Sequence, residues 1–292
     1  MTLPGEELRQ KQPDYALPVL GEDEDDPFDP KVLARDRWAD AYSLFQLKHA
    51  ESWHSKVGWA PTGDLTGEIF LSKLRDKRAK TLVRVGGIPP GWRGGIWTVL
   101  SGAKKARLEH PTYYTSLLAQ LESHPTRSTR DIEKDVSRTM SGHSFFKEQQ
   151  GEGQSKLKRG LCAFSFKHPA IGYAQSMSTV LGALLLHYHD EEEAFWVFDC
   201  LVSNILPQDY YTPSMIGTKT DCAVLKRLIK KRLPKLSSHL IRKGVDLDMV
   251  SVPWFMCLYV HVLPLPTAMR IWDALFYKFE STTQHCEAHK RE

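Results

Sequence analysis

The chain has 292 residues, of which 41% are hydrophobic and 25% charged, and a formal net charge of +4. These are ordinary globular values that permit a sizeable core, and they give no sign of the concentrated basic face that nucleic acid binding uses. The five cysteines, Cys162, Cys200, Cys222, Cys257 and Cys286, never form a CxxC pair, which points to a reducing compartment with neither a disulfide framework nor a zinc site.

Residues 1–20 lack the apolar stretch of a signal peptide. The most apolar run, Val180 to Leu186, is too short to cross a bilayer, which takes about 20 residues. A soluble, cytoplasmic protein is expected. Residues 1–30, with several prolines and the acidic run Glu22 to Asp26, read as a segment without fixed structure. Residues 31–87 read as a helical extension. Asp29 and Pro30 signal its first helix, with Trp38, Tyr42 and Phe45 as an apolar stripe. A loop around Pro61 to Gly67 leads to a second helix over Glu68 to Arg84, which Gly86 and Gly87 stop.

From Ile88 to Phe279 the pattern is that of one helical domain. Tyr114, Leu117, Leu118 and Leu121 recur at helical spacing, as do Phe195, Phe198, Leu201, Val202 and Ile205 behind the acidic turn Asp190 to Glu193. Val224, Leu225, Leu228 and Ile229 form a further stripe. Pro253 to Val262 and Pro266 to Phe279 each open on a proline. Lys147 to Arg159, polar and with two glycines, reads as the clearest internal loop. Residues 280–292 read as a polar tail. Sustained period-two alternation is absent, so the expected fold class is all-α.

Two short strings carry the chemistry. IEKDVSR (Ile132 to Arg138) offers an arginine, and GYAQSM (Gly172 to Met177) a glutamine about forty residues later. Phosphoryl transfer on GTP uses these two side chains without a proton donor: arginine neutralises developing charge and glutamine orients the attacking water. The chain has no phosphate-cradling GxxxxGK[ST] string, GxSxG elbow or HExxH pair. It therefore reads as a protein that completes another protein's active site. Ile132 is expected in the core, with Arg138 projecting from the rim. Asp135 lies one turn before Arg138, close enough to hold its guanidinium. Tyr173 and Met177 are expected as buried anchors that leave Gln175 aimed outwards. Further upstream, Arg93, Trp97 and Leu100 share one helix face. Trp97 and Leu100 read as packing residues, and for Arg93 scaffolding and partner contact both stay open.

Residues 88 to about 279 resemble the TBC domain, the all-helical module of GTPase-activating proteins for Rab-type small GTPases. Ile88-Pro89, Arg93, Trp97 and Leu100 fit its IPxxxRxxxWxxL pattern. Ile132, Asp135, Arg138 and Thr139 fit IxxDxxRT, and Gly172, Tyr173, Gln175 and Met177 fit GYxQxM. The resemblance implies an arginine finger in Arg138, worth about 10³–10⁵ in rate, and a glutamine finger in Gln175. It gives supporting or binding roles to Asp135, Arg93, Trp97, Tyr173, Thr139 and Ile132. The implied partner is a GTP-bound Rab-family GTPase that brings GTP and Mg²⁺ with it, so no cofactor or metal is expected in this chain. Membrane proximity is expected only through the Rab. The alternative that the resemblance leaves is a TBC-like scaffold that binds without accelerating hydrolysis. The chain departs from the family's GYxQGMN at Ser176 and Ser178, and a serine tolerates positive φ less well than glycine. From Glu280 to Glu292 it turns polar, and exposure of Met269, Ile271 and Phe276 is expected.

Overall fold

Helices make up the regular structure of the described residues, 30–57, 72–123 and 126–289 of this computed structural model, and no strand occurs among them. The all-α expectation holds. Of the segment expected over 1–30, residues 1–29 lie outside the described residues, as does the loop expected over 61–67, and Pro30 already opens a helix. In chain order the helices are α1 (Pro30–Val57), α2 (Lys77–Gly86), α3 (Arg93–Leu100), α4 (Ala103–Glu109), α5 (Tyr113–Ser123), α6 (Arg127–Val136), α7 (Ser144–Lys147), α8 (Glu152–Lys167), α9 (Ser176–Leu185), α10 (Glu191–Cys200), α11 (Ile216–Arg232), α12 (Pro234–Arg242), α13 (Leu247–Met256) and α14 (Leu265–His289). Backbone contacts divide the chain into two compact units, one of residues 1–100 with 270–292 and one of residues 101–269.

In the first unit the second expected helix is interrupted. Asp76 caps α2 by accepting from the Arg78 amide at 2.9 Å, so a fresh helix starts at Lys77 after the helical residues 72–74, and the expected start at Glu68 lies outside the described residues. An aspartate that satisfies an orphan amide favours a fresh start over continuation. Of the stripe expected on α1, Trp38 lies outside the described side chains and Phe45 is exposed; His49, Trp53 and Val57 are buried instead. The core of this unit is organised on Asp273. Its fully buried carboxylate accepts from the Ile88 amide at 2.9 Å, from Arg93 Nη2 at 3.1 Å and from Trp97 Nε1 at 3.0 Å. Trp97 packs against Trp272 and Phe276 with ring centroids 5.8 and 5.2 Å away. Burial pushes the Asp273 carboxyl up, and Arg93 opposes that shift. Phe276 is thus buried rather than exposed, whereas Ile271 is exposed as expected.

In the second unit α8 is central, packed on α5, α6, α9 and α10. Its position corrects the loop expected over Lys147 to Arg159, since the helix already begins at Glu152. The residues that read as a solvated connector have internal work. The Gln154 amide donates to the Phe146 carbonyl at 2.9 Å and its oxygen accepts from the Gln150 amide at 3.1 Å. Lys158 pairs with Glu133 at 2.7 Å. Gly153 lets α7 approach closely, because a Cβ there would stand 2.1 Å from the Phe145 carbonyl oxygen. The stripe expected on α11 is corrected as well. Val224 and Leu228 are exposed, and the helix buries Gly217, Thr218 and Cys222 instead. Pro253 does not open a helix but sits inside α13, which Asp246 caps. Met269, expected to be exposed, is buried.

Candidate functional site

Thr126 and Thr129 cap α6 reciprocally: the Thr126 hydroxyl accepts from the Thr129 amide, and the Thr129 hydroxyl accepts from the Thr126 amide. This fixes the start of a helix whose buried face includes Ile132, Asp135 and Val136. The regular helix ends at Val136, so Arg138 sits in the turn that follows and not on the helix itself. Its amide and that of Thr139 both donate to the Asp135 carbonyl, at 3.1 and 3.0 Å.

Asp135 then holds two side chains with its carboxylate. Oδ1 accepts from Arg138 Nη2 at 2.6 Å, and Oδ2 accepts from the Tyr173 hydroxyl at 2.9 Å. Arg138 Nε also donates to the Lys134 carbonyl at 3.1 Å. The guanidinium is therefore tied at two points, while 69% of the side chain stays exposed. Such an arginine is pre-oriented without being buried. Tyr173 is half-buried, not the buried anchor expected, and it acts as a clamp on Asp135. Burial foremost, with Asp135 alongside, pushes its phenol far above the usual value, so it stays a hydrogen-bond donor.

The second string turns sharply into α9. Gly172 has φ +65°, a left-handed conformation that costs a non-glycine residue roughly 1–2 kcal/mol. Met177 is fully buried, as expected. Gln175 lies at the N-terminal cap position of α9 with helical dihedrals, and its exposed side chain makes no capping bond. Ser176 is the first residue of α9, so it replaces the family glycine without the strain of a positive φ.

Arg138 and Gln175 line one cavity of about 230 Å³, together with Asp135, Thr139 and Ser176. Of the other candidates, Ile132 is buried in α6 beneath this site. Arg93 and Trp97 belong to the first unit and are buried on Asp273; this corrects the open possibility that Arg93 contacts a partner, because its guanidinium is committed to an internal carboxylate. The cavity also has a wall that the sequence patterns missed. Thr179 hydrogen-bonds His261 at 2.8 Å across 82 positions, a distance in sequence at which no local spacing signals a contact. Burial holds the His261 imidazole below its ordinary value and pushes the neighbouring Cys257 thiol up. No group of three or more histidines, cysteines, aspartates or glutamates poised to hold a metal occurs among the described residues. Nor is any helix among them long and apolar enough to cross a membrane.

A fixed cation and an uncommitted amide around one opening suit the neutralisation of developing negative charge and the orientation of a water molecule. Comparison with known proteins agrees with the helical architecture. The Rab-GTPase-TBC domain family matches residues 90–287. Growth hormone-regulated TBC protein 1 of Homo sapiens is 39% identical over 203 residues, covering 69% of this chain and 59% of that protein. Small G protein signaling modulator 3 of Homo sapiens is 30% identical over 267 residues, covering 91% of this chain and 35% of that protein. The chain thus spans about a third to three fifths of the length of these two relatives. Among solved structures, the Chlamydomonas flagellar RabGAP TBC domain superposes with a TM-score of 0.67 at 28% identity, covering 86% of this chain and 79% of that one. The Ypt/Rab-GAP domain of Gyp1p shares the fold, with a TM-score of 0.63 at 20% identity over 81% of each chain. The chain belongs to the Rab-GTPase-TBC domain family.

Proposed function

We propose that this protein stimulates GTP hydrolysis by a Rab-family small GTPase, supplying Arg138 and Gln175 in trans. The observation that carries the reading is the pairing of a tethered but exposed Arg138 with an exposed Gln175 at one cavity. On docking to the GTP-bound partner, Arg138 neutralises charge that develops on the transferring phosphoryl group, and the Gln175 amide orients the attacking water. Asp135, itself held by Tyr173, fixes the guanidinium, so less conformational freedom is lost as the transition state forms. GTP and Mg²⁺ arrive with the partner. The protein works in the cytoplasm and meets membranes through the lipid anchor of that partner.

The test is single-turnover GTP hydrolysis across a panel of GTP-loaded Rab proteins, with and without this chain. Acceleration of at least one Rab is the expected result. Binding to a Rab with no acceleration of any would instead favour a scaffold that recognises the GTPase without completing its active site.

A further inference from the structure

The turn that carries Arg138 and the turn that carries Gln175 are joined by two buried hydroxyls. Thr139 Oγ1 lies 2.9 Å from Ser178 Oγ, and Ser178 Oγ lies 2.8 Å from the Gln175 carbonyl oxygen. Thr139 and Ser178 are only 6% and 3% exposed. Each hydroxyl has a single proton to give. The Gln175 carbonyl can only accept, so Ser178 donates to it. Ser178 Oγ is then left to accept from Thr139. The Thr139 hydroxyl also lies 2.8 Å from the Asp135 carbonyl, which accepts from the Arg138 and Thr139 amides, and the Gln175 carbonyl also lies 3.4 Å from the Tyr173 hydroxyl and the Ser178 amide. An arrangement that gives both hydroxyls a partner is a chain running from Thr139 to Ser178 to the Gln175 carbonyl, in which each bond polarises the next.

We propose that Ser178 is a positioning residue: relayed through Thr139, it locks the backbone of Gln175 to the turn that presents Arg138, so that the two side chains enter the GTPase in a fixed mutual geometry. The proposal rests on the GTPase-activating reading above. Gln175 has no side-chain cap and its amide is uncommitted, so the backbone at this residue is what limits where the amide points. The relay reaches that backbone from the Arg138 side. A displacement of the order of 1 Å at a reacting group can cost about a hundredfold in rate, whereas loss of one such contact leaves the docking surface in place.

Three variants separate positioning from bulk stability. Ser178→Ala removes the middle of the relay and Thr139→Val removes its upstream donor at near-constant shape. Thr139→Ser keeps the hydroxyl and serves as the rescue. The expected result is a loss of about tenfold or more in the maximal single-turnover rate for Ser178→Ala and Thr139→Val. Affinity for the GTP-bound partner stays near that of the original protein, the melting temperature falls only by the modest amount that losing a buried hydrogen bond entails, and Thr139→Ser retains most of the rate. In a Gln175→Ala background Ser178→Ala adds no further loss, because the group it positions is gone. Equal losses with and without Gln175, or an unchanged rate in Ser178→Ala, overturn the proposal. Hydrogen exchange gives a second readout that needs no GTPase: the amides of residues 176–178 exchange faster in Ser178→Ala and Thr139→Val, and unchanged exchange also overturns the relay. If Gln175→Ala itself leaves the stimulated rate intact, the role given to Gln175 in the GTPase-activating reading fails, while the exchange result still decides whether the relay exists.

Discussion

The Arg138 guanidinium donates to Asp135 Oδ1 at 2.6 Å across less than one turn of chain, yet most of the arginine remains open to solvent. With the arginine this exposed, solvent screens the pair, and its contribution to stability is small, about 0–1 kcal/mol. Its consequence lies in orientation, since the other carboxylate oxygen is fixed by Tyr173 and cannot swing away.

Replacing Asp135 with alanine therefore affects rate more than folding. A charge-assisted hydrogen bond of about 1.5–3 kcal/mol, realised in the transition state, corresponds to roughly a 10- to 100-fold loss in stimulated hydrolysis. Tyr173→Phe, which removes one of the two restraints on the carboxylate, gives a smaller loss in the same direction. Single-turnover rates at saturating protein, set beside urea unfolding curves, check both. A loss explained by unfolding alone would contradict the orienting role.

In the first unit the sensitive position is Arg93. Arg93→Ala leaves the fully buried Asp273 carboxylate without its counter-charge, and breaking such a pair costs about 3–5 kcal/mol. Arg93→Lys is also destabilising, because an ammonium cannot reproduce the contacts that Nε and Nη2 make together. Chemical denaturation shows this as a lower midpoint with little change in slope.

Gly153→Ala tests the close approach that the polar sequence of this segment concealed. The added methyl would meet the Phe145 carbonyl oxygen at 2.1 Å, so backbone must shift. A destabilisation of about 1–3 kcal/mol is expected for overpacking of this kind, and thermal unfolding measures it.

The pH dependence of stability follows from histidines. Burial foremost holds His49 below its ordinary value, and burial does the same to His143. For a histidine shifted down, the unfolded chain takes up the proton first. Stability is fully present above the unfolded value of about 6.5, and it falls as pH drops through that value towards the folded one. Melting temperatures recorded from pH 8 to pH 5 are expected to stay level above about 6.5 and decline below it. His49→Gln flattens part of that decline.

What the sequence made legible follows from the range of each interaction. The all-α class was readable because apolar spacing is local, and Ile132, Asp135 and Met177 were placed correctly by spacing within their own strings. Lys147 to Arg159 was misread because its polar residues are satisfied by partners such as Phe146, outside the segment, and Glu191, 32 positions beyond Arg159. On α11, periodicity marked Val224 and Leu228, but packing chose the neighbouring face with Cys222. The Tyr173 clamp, the Ser178 relay and the His261 wall all join residues 38 to 82 positions apart, where composition and spacing carry no information.

The most direct measurement compares the original protein with Arg138→Ala, Gln175→Ala and the double variant on one responsive GTP-loaded Rab, with binding recorded in parallel. Each single variant is expected to bind normally and to lose about 10³-fold or more in stimulated hydrolysis for Arg138, with a marked loss for Gln175 and little more in the double variant. Undiminished hydrolysis in both single variants would contradict the shared role assigned to these two side chains.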